Sequence, residues 1–100
     1  MQKKNKKIII AEKQQIIADD LQSSLIKAGY QIVATASTEQ EAIEKVATLK
    51  PDILILDIYL NREIDGKTTA QRIKEFSKTS VMLYSTYRDS QVIVDEPTIV

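Results

Sequence analysis

Short β-branched runs alternate with segments of helical spacing along the chain. The first run, Lys7 to Ala11, is apolar after its lysine, which is typical of a strand buried on both faces of a sheet. It is followed by Ile17, Leu21 and Leu25 at successive four-residue intervals, as on one face of a helix. Gly29 then supplies a left-handed helix end. This alternation predicts an α/β fold, with a parallel sheet of right-handed βαβ units and helices on both faces.

The alternation continues through the chain with no linker or internal repeat. The further predicted elements are a strand at Tyr30 to Ala36, a helix at Thr38 to Leu49, a strand at Ile53 to Leu56, a weaker helix from Gly66 to about Ser77 and a strand at Ser80 to Ser85. The positions predicted to face the sheet from the second and third helices are Ala42, Ile43, Val46, Leu49, Ala70, Ile73 and Phe76.

Polar residues follow the predicted strands at the edge where α/β sheets bind ligands. Ligands in such folds lie outside the carboxyl ends of the strands. The residues that leave these ends are Glu12, Lys13, Asp57, Ser85 and Thr86. Asp57 is the leading candidate, because it follows four aliphatic residues and precedes an irregular loop. The simpler alternative is an aspartate that only ends a strand.

The candidate site contains oxygen donors. The chain has no histidine or cysteine, which excludes the common acid-base, thiol and zinc sites. Glu12, Asp57 and main-chain carbonyls are hard oxygen ligands of the kind that Mg²⁺ accepts. A carboxylate can also attack phosphorus and form an aspartyl phosphate, with a hydroxyl from Ser85 or Thr86 donating to a phosphoryl oxygen.

Three segments resemble the receiver domain of bacterial two-component response regulators, over about residues 7–89. They are "IIIAEK", "PDILILDIYLNREIDG" and "SVMLYSTYRD". The resemblance implies a flavodoxin-like fold with strand order 2-1-3-4 and a phosphorelay in which a histidine kinase or phosphotransfer protein supplies the phosphoryl group. The site residues that it implies are Asp57 as the phosphoacceptor, Glu12 and the Tyr59 carbonyl as further Mg²⁺ ligands, Ser85 as the switch hydroxyl, and Asp65 with Gly66 as the end of the loop.

Lys13 and the C-terminal segment depart from the family pattern. The family usually has a second acid where this chain has Lys13, so we expect weak Mg²⁺ binding with Lys13 as its modulator. Residues 86–100 are too few for the two helices and the strand that complete a receiver domain. We expect one receiver-like domain over residues 1–100, with a basic tail at 1–6, an atypical or truncated segment at 86–100 and a short or missing fifth strand. An exposed edge there would suit a homodimer.

Charge and hydropathy narrow the choice of partners. Lys and Arg total 14, as do Asp and Glu, so the net charge of zero provides no field that attracts nucleic acid. No apolar run approaches the ~20 residues that cross a bilayer. The basic start lacks the apolar stretch of a signal peptide. We therefore expect a cytoplasmic chain without nucleic-acid or membrane contacts.

Two other functions remain open. A phosphorylation-independent interaction module would follow if Lys13 paired with Asp57 and imitated a metal-bound state. A Mg²⁺-dependent phosphohydrolase of the haloacid dehalogenase-like type would need a second aspartate where the chain has Tyr59. We expect no enzyme activity beyond self-phosphorylation and autodephosphorylation at Asp57.

Overall fold

The computed structural model describes residues 6–60, 66–86 and 92–95, which form a five-stranded sheet with helices on both faces. The elements in chain order are β1 (Lys7–Ala11), α1 (Gln15–Lys27), β2 (Gln31–Ala36), α2 (Glu39–Leu49), β3 (Ile53–Asp57), α3 (Gly66–Lys74), β4 (Ser80–Thr86) and β5 (Val92–Asp95). The strand order is β2-β1-β3-β4-β5, with the first four strands parallel and β5 antiparallel to β4. The predicted order 2-1-3-4 with a short fifth strand is confirmed.

Some of the predictions fall on residues that the structure does not describe. These are residues 1–5 of the predicted basic tail, Asp65 at the end of the loop, and residues 87–91 and 96–100 of the predicted C-terminal segment. For Thr86 and β5 the structure describes the backbone and its strand pairing but not the side chains.

Side chains alternate along the central strands and so enter two apolar layers. The layer under α2 and α3 contains Ile9, Leu54, Leu56, Ala42, Val46, Ala70, Ile73, Val81 and Leu83. The layer under α1 contains Ile8, Ile10, Ile55 and Tyr84, with Leu21 and Leu25 of α1 packed on it. The predicted arrangement of helices on both faces therefore follows from the strand alternation.

Two predicted core positions are exposed. Leu49 is 39% exposed, because it is the last residue of α2 and Lys50 then turns the chain in a left-handed conformation at φ 48°. Phe76 is 48% exposed, because α3 ends at Lys74 and not near Ser77. Both predictions of inward-facing side chains were wrong, since helical spacing no longer determines direction at or beyond a helix end.

Local sequence signals set the ends of the first two helices. Gly29 adopts φ 100° immediately after α1, which is the left-handed helix end that its position predicts. At the start of α2 the Thr38 hydroxyl accepts the Glu41 N–H at 3.1 Å. The Glu41 carboxylate accepts the N–H of Ser37 at 2.8 Å, one residue before the partner that a standard capping box would use. Within residues 6–60, 66–86 and 92–95, no helix has both the length and the apolarity to traverse a bilayer.

Candidate functional site

Three polar side chains meet at the carboxyl ends of neighbouring parallel strands. Glu12 directly follows β1, Asp57 is the last residue of β3, and Tyr84 pairs with Asp57 in the register of β3 and β4. All three continue the side-chain alternation of the layer under α1, to which Ile10 and Ile55 belong. The sheet therefore brings two carboxyl groups and a phenol together at one edge.

Asp57 is a buried carboxyl with one defined main-chain donor. It is 5% exposed, and its Oδ1 accepts the N–H of Tyr59 at 3.0 Å. The pKa of Asp57 is raised to about 6, mainly by burial and to a lesser extent by the charge and the hydrogen bonding of Glu12. The N–H of Tyr59 opposes the rise in pKa, as does the more weakly acting charge of Lys13. The site therefore holds more negative charge than its local donors neutralise.

Glu12 is held by a donor at each carboxylate oxygen. The side chain is 3% exposed, its Oε2 accepts the N–H of Gln14 at 2.8 Å, and its Oε1 accepts a short hydrogen bond from the Tyr84 hydroxyl. The backbone N–H of Glu12 donates to the Ala36 carbonyl at 2.9 Å. Burial, and then the hydrogen bond to Glu12, raise the pKa of the Tyr84 phenol, which stays protonated.

The sequence prediction did not include Tyr84. Tyr84 lies within the predicted fourth strand, and a polar aromatic near a strand end is the signal that could have identified it. Strand alternation places Tyr84 on the face of Asp57, and the next residue, Ser85, falls on the other face. The hydroxyl of a buried tyrosine normally has a hydrogen-bond partner, and a tyrosine at a strand end beside carboxylates can donate to one of them.

The remaining predicted site residues occupy different settings. Lys13 is exposed, and within the described residues it forms no ion pair with Asp57. The pairing that the interaction-module alternative requires is therefore not formed. Ser85 is 8% exposed and lies within β4 and not after it.

Tyr59 and Gly66 shape the chain after Asp57. The Tyr59 side chain is 57% exposed, while its backbone turns back so that its N–H reaches Asp57. Gly66 begins α3 against this turn, and a Cβ placed on it would lie 2.7 Å from the Cα of Ile58. Real Cβ atoms do not approach so closely, so glycine is required where α3 packs beside the Asp57 loop.

A separate cleft of about 590 Å³ lies at the amino ends of the strands, away from Asp57. Its walls include Lys6, Lys50 and Lys78, together with the half-exposed ring of Phe76. Lys50 caps the C-terminus of α2, where cations offset the negative end of the helix dipole. We therefore place the chemistry of the chain at the carboxyl edge and not in this cleft.

Sequence and structure comparisons agree with the fold and give the family that the chain resembles. The family model described as the response regulator receiver domain matches residues 8–96. The alkaline phosphatase synthesis transcriptional regulatory protein PhoP of Bacillus subtilis is 32% identical over 87 residues, which make up 87% of this chain and 35% of PhoP. The chemotaxis protein CheY of Thermotoga maritima is 28% identical over 91 residues, which make up 91% of this chain and 75% of CheY.

Solved structures give the same fold. The NMR structure of the receiver domain of the PhyR response regulator from Erythrobacter litoralis aligns with a TM-score of 0.73 and 26% identity, covering 83% of this chain and 64% of that one. Because this chain spans only 35% of the length of PhoP, the activity and partners of that whole protein do not transfer to it.

Proposed function

The chain belongs to the response regulator receiver family, and from that membership we propose that it accepts a phosphoryl group on Asp57, with Mg²⁺, to switch a partner interaction in a phosphorelay. The observation that carries this proposal is the setting of Asp57, a buried carboxyl at the carboxyl end of a central parallel strand, opposite buried Glu12 at the end of the neighbouring strand. A buried carboxyl with a raised pKa at the end of a parallel strand is typical of a functional site.

The oxygen atoms around Asp57 fit a magnesium ion. Glu12 and Asp57 are both buried at the ends of neighbouring strands, and the Tyr59 carbonyl is proposed as a third ligand. Among the described residues no cluster of three or more His, Cys, Asp or Glu side chains forms, so a bound ion would keep several waters, as Mg²⁺ prefers. When bound, Mg²⁺ would offset the charge of the phosphoryl oxygens. With Lys13 where the family has an acid, we propose weak binding.

The proposed reaction uses the ionised form of Asp57. One carboxylate oxygen forms a bond to phosphorus while the bond from phosphorus to the donor breaks, and the leaving group takes that electron pair. The donor would be a phosphohistidine of a histidine kinase or phosphotransfer protein, or a small acyl phosphate. The N–H of Tyr59, 3.0 Å from Oδ1, orients the carboxylate. The family pattern makes Ser85 the proposed switch hydroxyl, but strand alternation places it on the face of β4 opposite Asp57. Ser85 would therefore have to turn toward the phosphoryl group, and Thr86 is the next candidate along β4.

Acetyl phosphate and Mg²⁺ provide the test. The chain should gain one phosphoryl group, detected as a mass increase that is lost in base, and Asp57→Asn should abolish it. The matched control is Asp52→Asn, because Asp52 lies just before β3 at the opposite end of the strand and is exposed. Labelling that persists in Asp57→Asn, or that maps to Ser85, would refute Asp57 as the acceptor.

A phosphorylation-independent interaction module is the second candidate. It is favoured by one observation, which is that Lys13 stands where the family usually has an acid. Beryllofluoride with Mg²⁺ separates the two functions, since an acceptor should show amide shifts that depend on Asp57, and a module that does not use phosphate should show none.

The edge of the sheet supports a further partner proposal. Among residues 6–60, 66–86 and 92–95, strand β5 pairs with β4 alone and is the last strand in the order of the sheet. Exposed edge strands can pair with another chain, so we propose a homodimer through this edge. Sedimentation at increasing protein concentration should then give a reversible rise in mass, and a constant monomer mass would contradict it.

A further inference from the structure

Tyr84 crosses the strand that carries Asp57. It pairs with Asp57 on one side of β3, and its hydroxyl reaches Glu12, which follows β1 on the other side of β3. Neighbouring strands lie about 4.8 Å apart, so the phenol and the Glu12 side chain together bridge roughly 10 Å over the end of β3. The ring is 2% exposed, so this bridge is part of the buried layer under α1.

The bridge leaves Glu12 oriented and still able to bind. One donor lies on each oxygen, the Tyr84 hydroxyl on Oε1 and the Gln14 N–H on Oε2. A carboxylate offers about four acceptor positions, so about two remain. Glu12 and Asp57 follow paired residues of neighbouring strands, Ala11 of β1 and Leu56 of β3, and continue the same face of the sheet, so the two donors hold the Glu12 carboxylate on the face that carries Asp57.

We propose that Tyr84 is a positioning residue that preorganises the metal site, because its hydroxyl fixes the Glu12 carboxylate against Asp57. This inference rests on the proposed function, since it concerns the same Mg²⁺ site. A free glutamate side chain has several rotamers, and ordering it on metal binding costs conformational entropy. A residue that orders it beforehand removes that cost, which is why hydrogen-bond partners of metal ligands commonly change metal affinity by about 10- to 100-fold.

A purely structural role is the alternative. The same hydrogen bond could satisfy two buried polar groups and stabilise the fold without affecting a ligand. The two roles differ in one respect. A structural bond changes stability alone, whereas a positioning bond changes Mg²⁺ affinity and does so only through Glu12.

Tyr84→Phe removes the hydroxyl and keeps the ring. In Mg²⁺ titrations of the full chain followed by amide chemical shifts, we expect this variant to bind Mg²⁺ at least about tenfold more weakly. The matched control is Tyr30→Phe, because Tyr30 packs on the same apolar layer but lies beside Gln31, at the amino end of β2. The Mg²⁺ affinity of the control should stay within about twofold of that of the unsubstituted chain, a smaller difference than the loss of a hydrogen bond to a metal ligand causes.

A double substitution tests whether Tyr84 acts through Glu12. Glu12→Gln should weaken Mg²⁺ binding by itself, and adding Tyr84→Phe should cause no further loss, because the group that Tyr84 positions is already altered. In the metal-free chain, the side-chain carboxyl carbon of Glu12 should shift on Tyr84→Phe and not on Tyr30→Phe.

The outcomes separate this inference from the function on which it rests. Equal or tighter Mg²⁺ binding by Tyr84→Phe, or fully additive losses in the double variant, would overturn the positioning role and leave the proposed function standing. If the unsubstituted chain shows no Mg²⁺-dependent shifts around Asp57, both fail. A tenfold loss confined to Tyr84→Phe and absent from Tyr30→Phe supports the inference.

Discussion

Replacing Asp57 with asparagine should stabilise the metal-free fold at neutral pH. The carboxyl is 5% exposed, and burial, assisted by Glu12, raises its pKa from 3.8 to about 6. The folded chain therefore binds the Asp57 proton more tightly than the unfolded chain does. This contribution to stability is fully present below about pH 4, is lost as the pH rises toward about 6, and leaves the ionised carboxyl as a net cost above that.

The size of the effect follows from the difference in pKa. About two pKa units separate the folded and unfolded carboxyl, and each is worth about 1.4 kcal/mol, so ionised Asp57 costs at most about 3 kcal/mol. Asparagine has nearly the same shape, its oxygen still accepts the N–H of Tyr59, and its amide can donate to Glu12. We expect Asp57→Asn to raise the free energy of unfolding by roughly 1 to 3 kcal/mol near pH 7.5 and by less than about 0.5 kcal/mol near pH 4.

Urea unfolding followed by circular dichroism, with a chelator present, measures this difference at both pH values. Asp20→Asn is the matched control, because Asp20 is exposed on α1 and its replacement should change stability by no more than about 0.5 kcal/mol at either pH. A gain for Asp57→Asn that is equal at the two pH values would show that packing and not ionisation is responsible. No gain at neutral pH would refute the reasoning outright.

Three further changes test the core, the loop and the metal site. Leu56→Ala removes a side chain that is 0% exposed between β3 and the helices above it, and should lower the free energy of unfolding by about 2 to 5 kcal/mol in urea. Gly66→Ala places a methyl group 2.7 Å from the Ile58 Cα and should cost about 1 to 3 kcal/mol, with amide shifts at Asp57. Lys13→Asp should tighten Mg²⁺ binding, because it replaces an exposed positive charge near Asp57 with a negative one, and Lys13→Ala should do so by less. Because the Lys13 charge acts only weakly on Asp57, we expect a gain below about tenfold, or 1.4 kcal/mol, and equal affinities would mean that this charge does not reach the site.

The order of elements was predictable because each strand and helix carries its own periodicity. Continuous apolar strands such as Lys7–Ala11, and helices ended by residues such as Gly29, leave few ways to assemble a parallel sheet. Errors arose where periodicity stops. Leu49 and Phe76 keep the helical spacing in sequence but lie at or beyond helix ends, where the chain has already turned.

The site was predictable only as far as strand ends reveal it. Asp57 and Glu12 stand out because each directly follows an apolar run. Tyr84 does not stand out, because its role depends on a hydrogen bond to Glu12, which lies 72 positions earlier in the chain and on the other side of β3. Lys13 shows the opposite case. It is adjacent to Glu12 in sequence, but it is exposed and forms no ion pair with Asp57 among the described residues.

The same arrangement accounts for both the cost and the proposed use of Asp57. Above a pH of about 6 the buried Asp57 is ionised beside Glu12, which itself has only two hydrogen-bond donors to its carboxylate oxygens. The exposed ammonium of Lys13 does not offset this negative charge, since it lowers the pKa of Asp57 less than the N–H of Tyr59 does. A cation bound at this edge would therefore reduce the repulsion between the carboxylates of Asp57 and Glu12, and it would also offset the negative charge that a phosphoryl group adds. The stability lost at Asp57 is thus the source of its responsiveness, and we expect substitutions that stabilise this edge, such as Asp57→Asn, to remove its response to Mg²⁺.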